Sequence, residues 1–246
     1  PRWERAINSI GWTAIGEALG HAFVDKHFKP ESKLKVNEMV DNIMFVFRGR
    51  LDKLEWMSPV TKTKALEKLA SFTRKLGYPD KWTDYSTLSI TRESYFKNWM
   101  EQSKFKVTEN TQKLGKPIDR SEWQMAPHIV NAYYNPTWNE IVFPAGIMQP
   151  PFFDPNAEDA VNYARMGAVI GHEFLHGFDD QGAQFDATGQ FVNWWTSDDS
   201  LKFAARTNKL VEHFNSFEAL PGIFVNGELT LGENIADLGG LRSEER

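Results

Sequence analysis

Two histidines four residues apart, with a glutamate directly after the first, are the strongest chemical signal in the sequence: His172-Glu173-Phe174-Leu175-His176. On a helix, residues four apart lie on the same face, so both imidazoles reach one metal ion. The carboxylate of Glu173 then lies within reach of a water bound to that ion. Zinc lowers the pKa of such a water towards about 7, and a neighbouring carboxylate can take its proton. The pattern therefore predicts a zinc site that activates water.

The segment around these residues has the pattern of a long amphipathic helix, beginning at Asp154-Pro155 and ending near residue 180. Ile170, Phe174 and Phe178 recur on the face opposite the two histidines. Such a helix buries one side and offers the other to a metal. A chance match to a short motif is the alternative, and the motif's place in this helix argues against it.

A catalytic zinc site of this type needs a third protein ligand and one open position. The arrangement with a third histidine would require histidine at position 182 and glycine at 179, where this chain has Gly182 and Asp179. A glutamate ligand remains. The next glutamate after the motif is Glu212, and only Glu233 has a second acid one helical turn on, at Asp237. We therefore predict that Glu233 is the third ligand.

Glu233 has a purely structural alternative. Together with Thr230 it fits a capping box at the start of a helix, in which side chains satisfy free backbone N–H groups. Without the histidines the capping role would be favoured. Given a two-histidine zinc helix and no nearer glutamate, the ligand role is favoured.

Three further acids could hydrogen-bond a ligand histidine from behind and so set its tautomer and direction. Asp237 follows Glu233 by one turn and suits this role. Asp179 and Asp180 could support His176 in the same way, or could be polar residues near a helix end. We favour a supporting role for one of them, and the sequence does not choose between the two.

Composition excludes several classes of protein. The 246 residues carry a formal net charge of −5 and no basic run, so nucleic acid is not an expected partner. The absence of cysteine excludes disulfides, thiol catalysis and cysteine metal sites. No apolar run reaches the roughly 18 residues of a membrane span. The chain is long enough to bury a substantial core.

The periodicity of apolar residues predicts a mainly α fold with a small β-sheet (α+β). A boundary near residue 115 would separate a helical lobe, residues 1–115, from a zinc-binding catalytic lobe, residues 116–246. The helical patterns cover residues 7–23, 36–54, 58–77, 95–100, 154–180, 197–221 and 231–238. Two strands are predicted at 129–134 and 140–143, and a hairpin turn at Asn226-Gly227.

Longer stretches of the sequence carry a family resemblance. Residues 169–180, Val-Ile-Gly-His-Glu-Phe-Leu-His-Gly-Phe-Asp-Asp, and residues 232–240, Gly-Glu-Asn-Ile-Ala-Asp-Leu-Gly-Gly, resemble the neprilysin and endothelin-converting-enzyme family of zinc peptidases. The similarity runs from Pro1-Arg2-Trp3 almost to the end. Further matching motifs lie, in the family's order, at residues 77–79, 131–134, 141–147, 149–153 and 194–196.

The resemblance implies a thermolysin-like zincin catalytic lobe beside a helical lobe. One Zn²⁺ per chain would be held by His172, His176 and Glu233. Glu173 would be the general base in peptide-bond hydrolysis, and Asp237 would orient His172. A zinc endopeptidase or oligopeptidase is therefore expected, with peptides as substrates and an extracytoplasmic location favoured.

The resemblance also implies where a peptide would bind. Asn131 and the backbone of Ala132 would hold the peptide main chain on an edge strand. Ile147, Phe152 and Val169 would line the pocket for the residue after the cut, which favours cleavage on the amino side of large hydrophobic residues. From the sequence alone, these three residues indicate only core positions.

The chain departs from the family after Gly240. Family members continue with a histidine that steadies the oxyanion and an arginine that grips the substrate, whereas this sequence stops at residue 246 with neither. The alternative function is therefore a catalytically incomplete fragment that binds zinc structurally or binds peptides without turnover. Glu173 argues against a structural site, which does not need that acid. A separate chain supplying the C-terminal portion is a further expected partner.

Overall fold

The computed structural model describes residues 1–243, and within them the chain forms nine α-helices and five β-strands. This confirms the predicted class, mainly α with a small β-sheet. The elements in chain order are α1 Arg2–Ile10, α2 Gly16–His27, α3 Pro30–Asp52, α4 Pro59–Ala70, β1 Thr73–Gly77, α5 Tyr95–Gln112, β2 Tyr133–Asn135, β3 Glu140–Pro144, α6 Asp159–Asn162, α7 Ala168–His176, α8 Ser197–Asn215, β4 Glu218–Leu220, β5 Ile223–Phe224 and α9 Leu231–Ser243.

The long helix α3 forms one wall of the core. It begins with Pro30 at its first position, where the missing N–H costs nothing. Its apolar residues recur at helical spacing, so one side is buried. Phe47 on that side lies 5.4 Å from Phe178 and 6.3 Å from Phe174, measured between ring centroids. Helix α3 thus packs against the apolar face of α7. Its other buried apolar residues are Val36, Met39, Val40, Ile43 and Leu51.

The helix predicted for residues 58–77 is shorter than expected. Ser58 caps α4 by accepting a hydrogen bond from the Thr61 N–H, and the helix ends at Ala70. Residues 73–77 instead form strand β1, which pairs in parallel with β3, Thr73 opposite Glu140. Gly77 ends the strand with a φ of +80°, a backbone conformation that favours glycine. Pairing with β3 replaces the hydrogen bonds that a longer helix would have made.

The main sheet has the strand order β1-β3-β2, with β2 antiparallel to β3. All five residues of β3 are buried, as expected for a central strand. Strand β2 begins at Tyr133 and is therefore shorter than the predicted segment 129–134. Within the described residues β2 lies at an edge, so its outer backbone groups are free to pair with another chain.

Three smaller predictions about element boundaries differ from the structure. The first helical pattern is divided into α1 and α2. Helix α8 is capped by Thr196, which accepts the Asp199 N–H, and it ends at Asn215, before the predicted residue 221. A hairpin does form, but its strands β4 and β5 meet at residues 221–222 and not at Asn226-Gly227. Gly222 has a φ of +74°, which the tight turn requires. None of the helices within residues 1–243 has the length and apolar character needed to cross a membrane.

A buried carboxylate joins the amino-terminal ends of α4 and α8. Asp199 is fully buried and accepts hydrogen bonds from the Ser58 N–H at 3.0 Å, the Ser58 hydroxyl, and the Thr196 hydroxyl at 2.7 Å. Burial by itself would raise the pKa of Asp199, but hydrogen bonds from Ser58, Thr61 and Thr196 outweigh it and hold this pKa well below its usual value. We call this set of hydrogen bonds around Asp199 the joint. It connects Ser58, in the predicted helical lobe, to Asp199, in the predicted catalytic lobe.

Candidate metal centre

The helix that carries both histidines is nearly continuous from residue 159 to 176. It consists of α6, a π-helical turn at Tyr163–Gly167, and α7. Ile170 and Phe174 on α7 are fully buried, as the predicted apolar face requires. The helix begins at Asp159 and not at Asp154, and α7 ends at His176. Because α7 ends at His176, the residues that follow can turn back and contact His176.

Helix α9 lies directly on α7 because glycines form the contact. A Cβ on Gly171 would lie 2.8 Å from the Gly240 Cα. A Cβ on Gly240 would lie 2.8 Å from the Ala168 carbonyl oxygen and 2.9 Å from the His172 nitrogen. These distances leave no room for a side chain. The two backbones therefore approach closely, and side chains from the start of α9 reach the histidines of α7.

Three potential metal-binding atoms converge between the two helices. The Nε2 atoms of His172 and His176 lie 2.9 Å apart. The Oε2 atom of Glu233 lies 3.3 Å from the first and 3.7 Å from the second. Tetrahedral ligands at zinc distances lie about 3.3 Å from one another. The spacing of the three side chains therefore fits the zinc site that the sequence predicts.

The Nδ1 atom of each imidazole lies within hydrogen-bond distance of a carboxylate oxygen. The Nδ1 of His172 lies 2.8 Å from Asp237 Oδ1, and the Nδ1 of His176 lies 2.7 Å from Asp179 Oδ2. An ionised carboxylate only accepts hydrogen bonds, so each Nδ1 carries the proton. In the neutral rings neither Nε2 then carries a proton, so two lone pairs come within 2.9 Å of each other and repel. A cation between them would turn this repulsion into coordination, so the donor set fits a metal.

Asp179, and not Asp180, is the acid that contacts His176. Its other carboxylate oxygen accepts the N–H groups of Gln181, at 2.9 Å, and Gly182, at 2.6 Å. Burial by itself would lower the pKa of His176, but the hydrogen bond with Asp179 and the nearby carboxylates outweigh it and raise this pKa. The Oδ2 atom of Asp180 instead accepts a hydrogen bond from the Gln181 side chain.

Glu173 directly follows His172 on α7 and is 5% exposed. Its Oε2 atom is buried and has no hydrogen-bond partner among residues 1–243. Burial raises the pKa of Glu173 to about 7, the charge of His176 opposes the rise, and the carboxylate of Glu233 adds to it. A buried carboxylate oxygen without a partner is uncommon in proteins and suits a group that exchanges protons with a ligand.

The groups at the start of α9 use other partners than a capping box would give them. The Thr230 N–H donates to the Asn226 carbonyl at 3.1 Å. The Thr230 hydroxyl donates to the same carbonyl and accepts from the Asn234 side chain. In a capping box these two groups would be paired with Glu233. The Glu233 carboxylate points instead towards the two histidines.

A cleft of about 720 Å³ opens above the histidines. Asn131 and Ala132 lie in its wall, immediately before the edge strand β2. The side-chain oxygen of Asn131 accepts the Ala132 N–H at 2.9 Å. Further residues of the wall include Tyr134, Glu228, His172, Glu173, His176 and Glu233.

The three residues predicted to line a pocket for the substrate side chain lie in the hydrophobic core or against it. Ile147 is 5% exposed and belongs to the hydrophobic core, and Phe152 and Val169 are partly buried against that core. None of the three lies in the wall of the 720 Å³ cleft.

Sequence reasoning missed one buried charge near the site, Lys68 on α4. Its position could have been noticed in the sequence. The buried stripe of α4 consists of Thr61, Ala65, Lys68 and Leu69, so Lys68 occupies a position where an apolar residue is expected.

Comparisons with known proteins agree with the resemblance carried by the motifs. Sequence profiles of peptidase family M13 match residues 1–79 and 131–243. Neprilysin-3 of Drosophila melanogaster is 39% identical over 248 residues, which cover 98% of this chain and 31% of that protein. Neprilysin of Oryctolagus cuniculus is 38% identical over 249 residues, which cover 97% of this chain and 33% of that protein.

Solved structures show the same relationship. The zinc metalloprotease Zmp1 of Mycobacterium tuberculosis, in complex with an inhibitor, superposes with a TM-score of 0.92 at 47% identity, covering 99% of this chain and 37% of that one. PepO from Lactobacillus rhamnosis gives a TM-score of 0.83 at 36% identity, covering 93% and 36%. The chain spans about a third of the length of the relatives it matches. On this similarity along nearly its whole length, the chain belongs to peptidase family M13.

Proposed function

We propose that this chain acts in a zinc-dependent endopeptidase or oligopeptidase. The observation that carries the proposal is the convergence of the His172 and His176 Nε2 atoms on Glu233 Oε2, with both Nδ1 atoms held by carboxylates. One zinc ion per chain fits three such ligands and leaves one position open. The names of the relatives, which include a zinc metalloprotease and neprilysin, support the choice of metal and reaction.

The bound zinc would polarise a peptide carbonyl and make water more acidic. Glu173 would then accept the proton of the attacking water at Oε2 and return it to the leaving amine. The burial of Glu173 and its unpartnered oxygen support this role. Asp237 and Asp179 would keep the proton on Nδ1 of their histidines, so that each Nε2 stays free for the metal.

The substrate would bind along the edge of the sheet. We propose that Asn131 and the backbone of Ala132 hold the peptide main chain, because both lie in the cleft wall next to the free edge of β2. Ile147, Phe152 and Val169 are proposed to favour a large hydrophobic residue after the cut. Their apolar character supports this, and Val169 lies one helical turn before His172.

Two measurements test the proposed function. Elemental analysis of the purified chain after folding with zinc should give close to one zinc per chain, and His172→Ala or His176→Ala should abolish it. No zinc in the wild type would refute the proposal. Two peptides that differ only in the residue after the cut should then be compared. The peptide with Phe at this position should be cleaved faster than the peptide with Asp. Zinc binding with no cleavage, even with the family's C-terminal portion supplied as a second chain, would favour the non-catalytic alternative.

A further inference from the structure

Lys68 is a lysine whose side chain is fully buried, which is rare in proteins unless the ammonium has partners. It lies on α4, far in sequence from the metal-binding helices. Burial lowers the pKa of Lys68 to about 8, and the carboxylates of Asp179 and Asp186 oppose the shift. Burying this ammonium costs free energy. The contacts of Lys68 show which part of the chain the ammonium binds.

The ammonium of Lys68 binds one short turn of the chain. It donates to the carbonyl oxygens of Gly182 and Phe185, each at 2.7 Å. These two residues bracket the 3₁₀ turn Gly182–Gln184, which follows the metal-binding helix. Three aromatic rings surround the ammonium at 5.6–5.9 Å from their centroids: Tyr134, Phe178 and Trp194. Their faces add a favourable cation–π contribution at a fully buried site.

The same turn holds the acid behind His176. The Gly182 N–H donates to Asp179 Oδ1 at 2.6 Å, and Asp179 Oδ2 lies 2.7 Å from His176 Nδ1. The turn also lies directly on the end of α7, because a Cβ on Gly182 would lie 1.7 Å from the His176 carbonyl oxygen. Gly182 therefore makes contact with Lys68 through its carbonyl and with Asp179 through its N–H.

We infer that Lys68 is a positioning residue for the proposed metal site. It holds the turn at Gly182, the turn holds Asp179, and Asp179 aims the Nε2 of His176 at the metal. The inference rests on the proposed function and extends it, since a side chain from residues 1–115 then contributes to the geometry of a site built from residues 172–237. Zinc affinity should depend on this contact, although Lys68 touches no proposed ligand.

The test compares two lysines of the same helix. Lys68→Met keeps the length of the side chain and removes its charge and donors. Zinc affinity, measured by competition with a chelating dye, should fall about 10–100-fold, as for other groups that orient metal ligands. Lys64→Met is the matched control, because Lys64 is exposed and forms a surface ion pair with Glu67 at 3.8 Å. Its zinc affinity should equal that of the wild type.

A double-mutant cycle with Asp179→Asn separates positioning from general stabilisation. If Lys68 acts through Asp179, Lys68→Met should cost little further zinc affinity once Asp179 is replaced. Losses that simply multiply would overturn the inference. Lys68→Arg retains a charged donor and should bind zinc more tightly than Lys68→Met. Equal affinities in these two variants would also count against it.

A measurement on the unaltered chain covers the case in which Lys68→Met does not fold. Zinc should slow amide exchange at the end of α4 and in residues 181–185 more than in α5, which lies outside the site. Equal slowing everywhere would overturn the inference. If the wild type binds no zinc, the proposed function fails and this inference fails with it. If the wild type and folded Lys68→Met bind zinc equally well, the inference alone fails.

Discussion

Glu173 separates catalysis from metal binding at the scale of single residues. Its carboxylate is buried next to His172 and His176, yet its Oε2 has no hydrogen-bond partner in the part of the chain that the structure describes. Glu173→Gln should leave zinc content nearly unchanged and lower peptidase activity by about 10²–10⁴-fold, the usual contribution of a general base. Zinc analysis and a peptide cleavage assay on the same preparation test this. A variant that loses its zinc would identify Glu173 as a ligand.

Glu233 is the residue for which a structural role competed with a metal-binding role. Glu233→Gln removes the charge but retains a side chain suited to capping, which contributes only about 0.5–2 kcal/mol. Because Thr230 already uses other partners, we expect this variant to lose zinc while its metal-free form stays as stable as the metal-free wild type. Chelator competition and urea unfolding measure the two quantities. Unchanged zinc affinity would disprove the ligand assignment.

At the scale of secondary-structure elements, the contact between α7 and α9 places Glu233 beside His172 and His176. Gly171→Ala places a methyl group 2.8 Å from the Gly240 Cα, so α9 must move away from α7. We expect the free energy of unfolding to fall by about 1–3 kcal/mol, as for other overpacked sites, and zinc affinity to weaken.

Gly49→Ala is the control for this prediction. Gly49 lies inside α3, is exposed, and a Cβ there would meet no atom within 4 Å. Alanine should therefore stabilise the chain by about 0.5–1 kcal/mol without changing zinc affinity. Urea unfolding and zinc titration of both variants provide the comparison. A Gly171→Ala variant with wild-type zinc affinity would show that the glycine contact does not set the position of α9.

At the scale of the whole molecule, Asp199 makes the stability of the fold depend on pH, because its carboxylate joins α4 to α8. Its pKa is lower in the folded chain than in the unfolded chain, so its contribution to stability is present above the unfolded value, near pH 4, and is lost as the pH falls towards the folded value. Asp199→Asn should lower stability at pH 7 by about 1–3 kcal/mol, since buried hydrogen-bond donors lose their acceptor.

The pH dependence of unfolding tests this joint. Between pH 5 and pH 3, urea unfolding of the wild type should lose more stability than that of Asp199→Asn, because only the wild type must protonate this buried carboxylate on unfolding at low pH. Asp198→Asn, at an exposed neighbouring position, serves as the control and should follow the wild type. Parallel curves for wild type and Asp199→Asn would contradict the role of the joint.

The proposed division into lobes 1–115 and 116–246 stays a prediction, and several contacts cross it. Strand β1 pairs with β3, Lys68 binds the turn at Gly182, and Asp199 binds Ser58. The hydrophobic core likewise contains residues from both sides of the boundary. Stability and metal binding are therefore expected to depend on both segments together.

The sequence by itself determined the parts of the site that follow from helix geometry. Four-residue spacing places two imidazoles on one face, and the apolar residues of α7 require the opposite face to be buried. Glu233 and Asp237 were likewise identified as a pair because they are one turn apart. In each case the relevant distance lies within a single helix, so spacing along the chain is enough to predict it.

Only the tertiary structure decided the contacts between distant segments. It chose Asp179 over Asp180, turned residues 73–77 into a strand, and placed Lys68 behind the proposed metal site. Glycines at positions 171 and 240 let two helix backbones approach, and no local pattern in either helix predicts that contact. Which side chains meet depends on close packing between elements, and the order of residues within one element does not specify it.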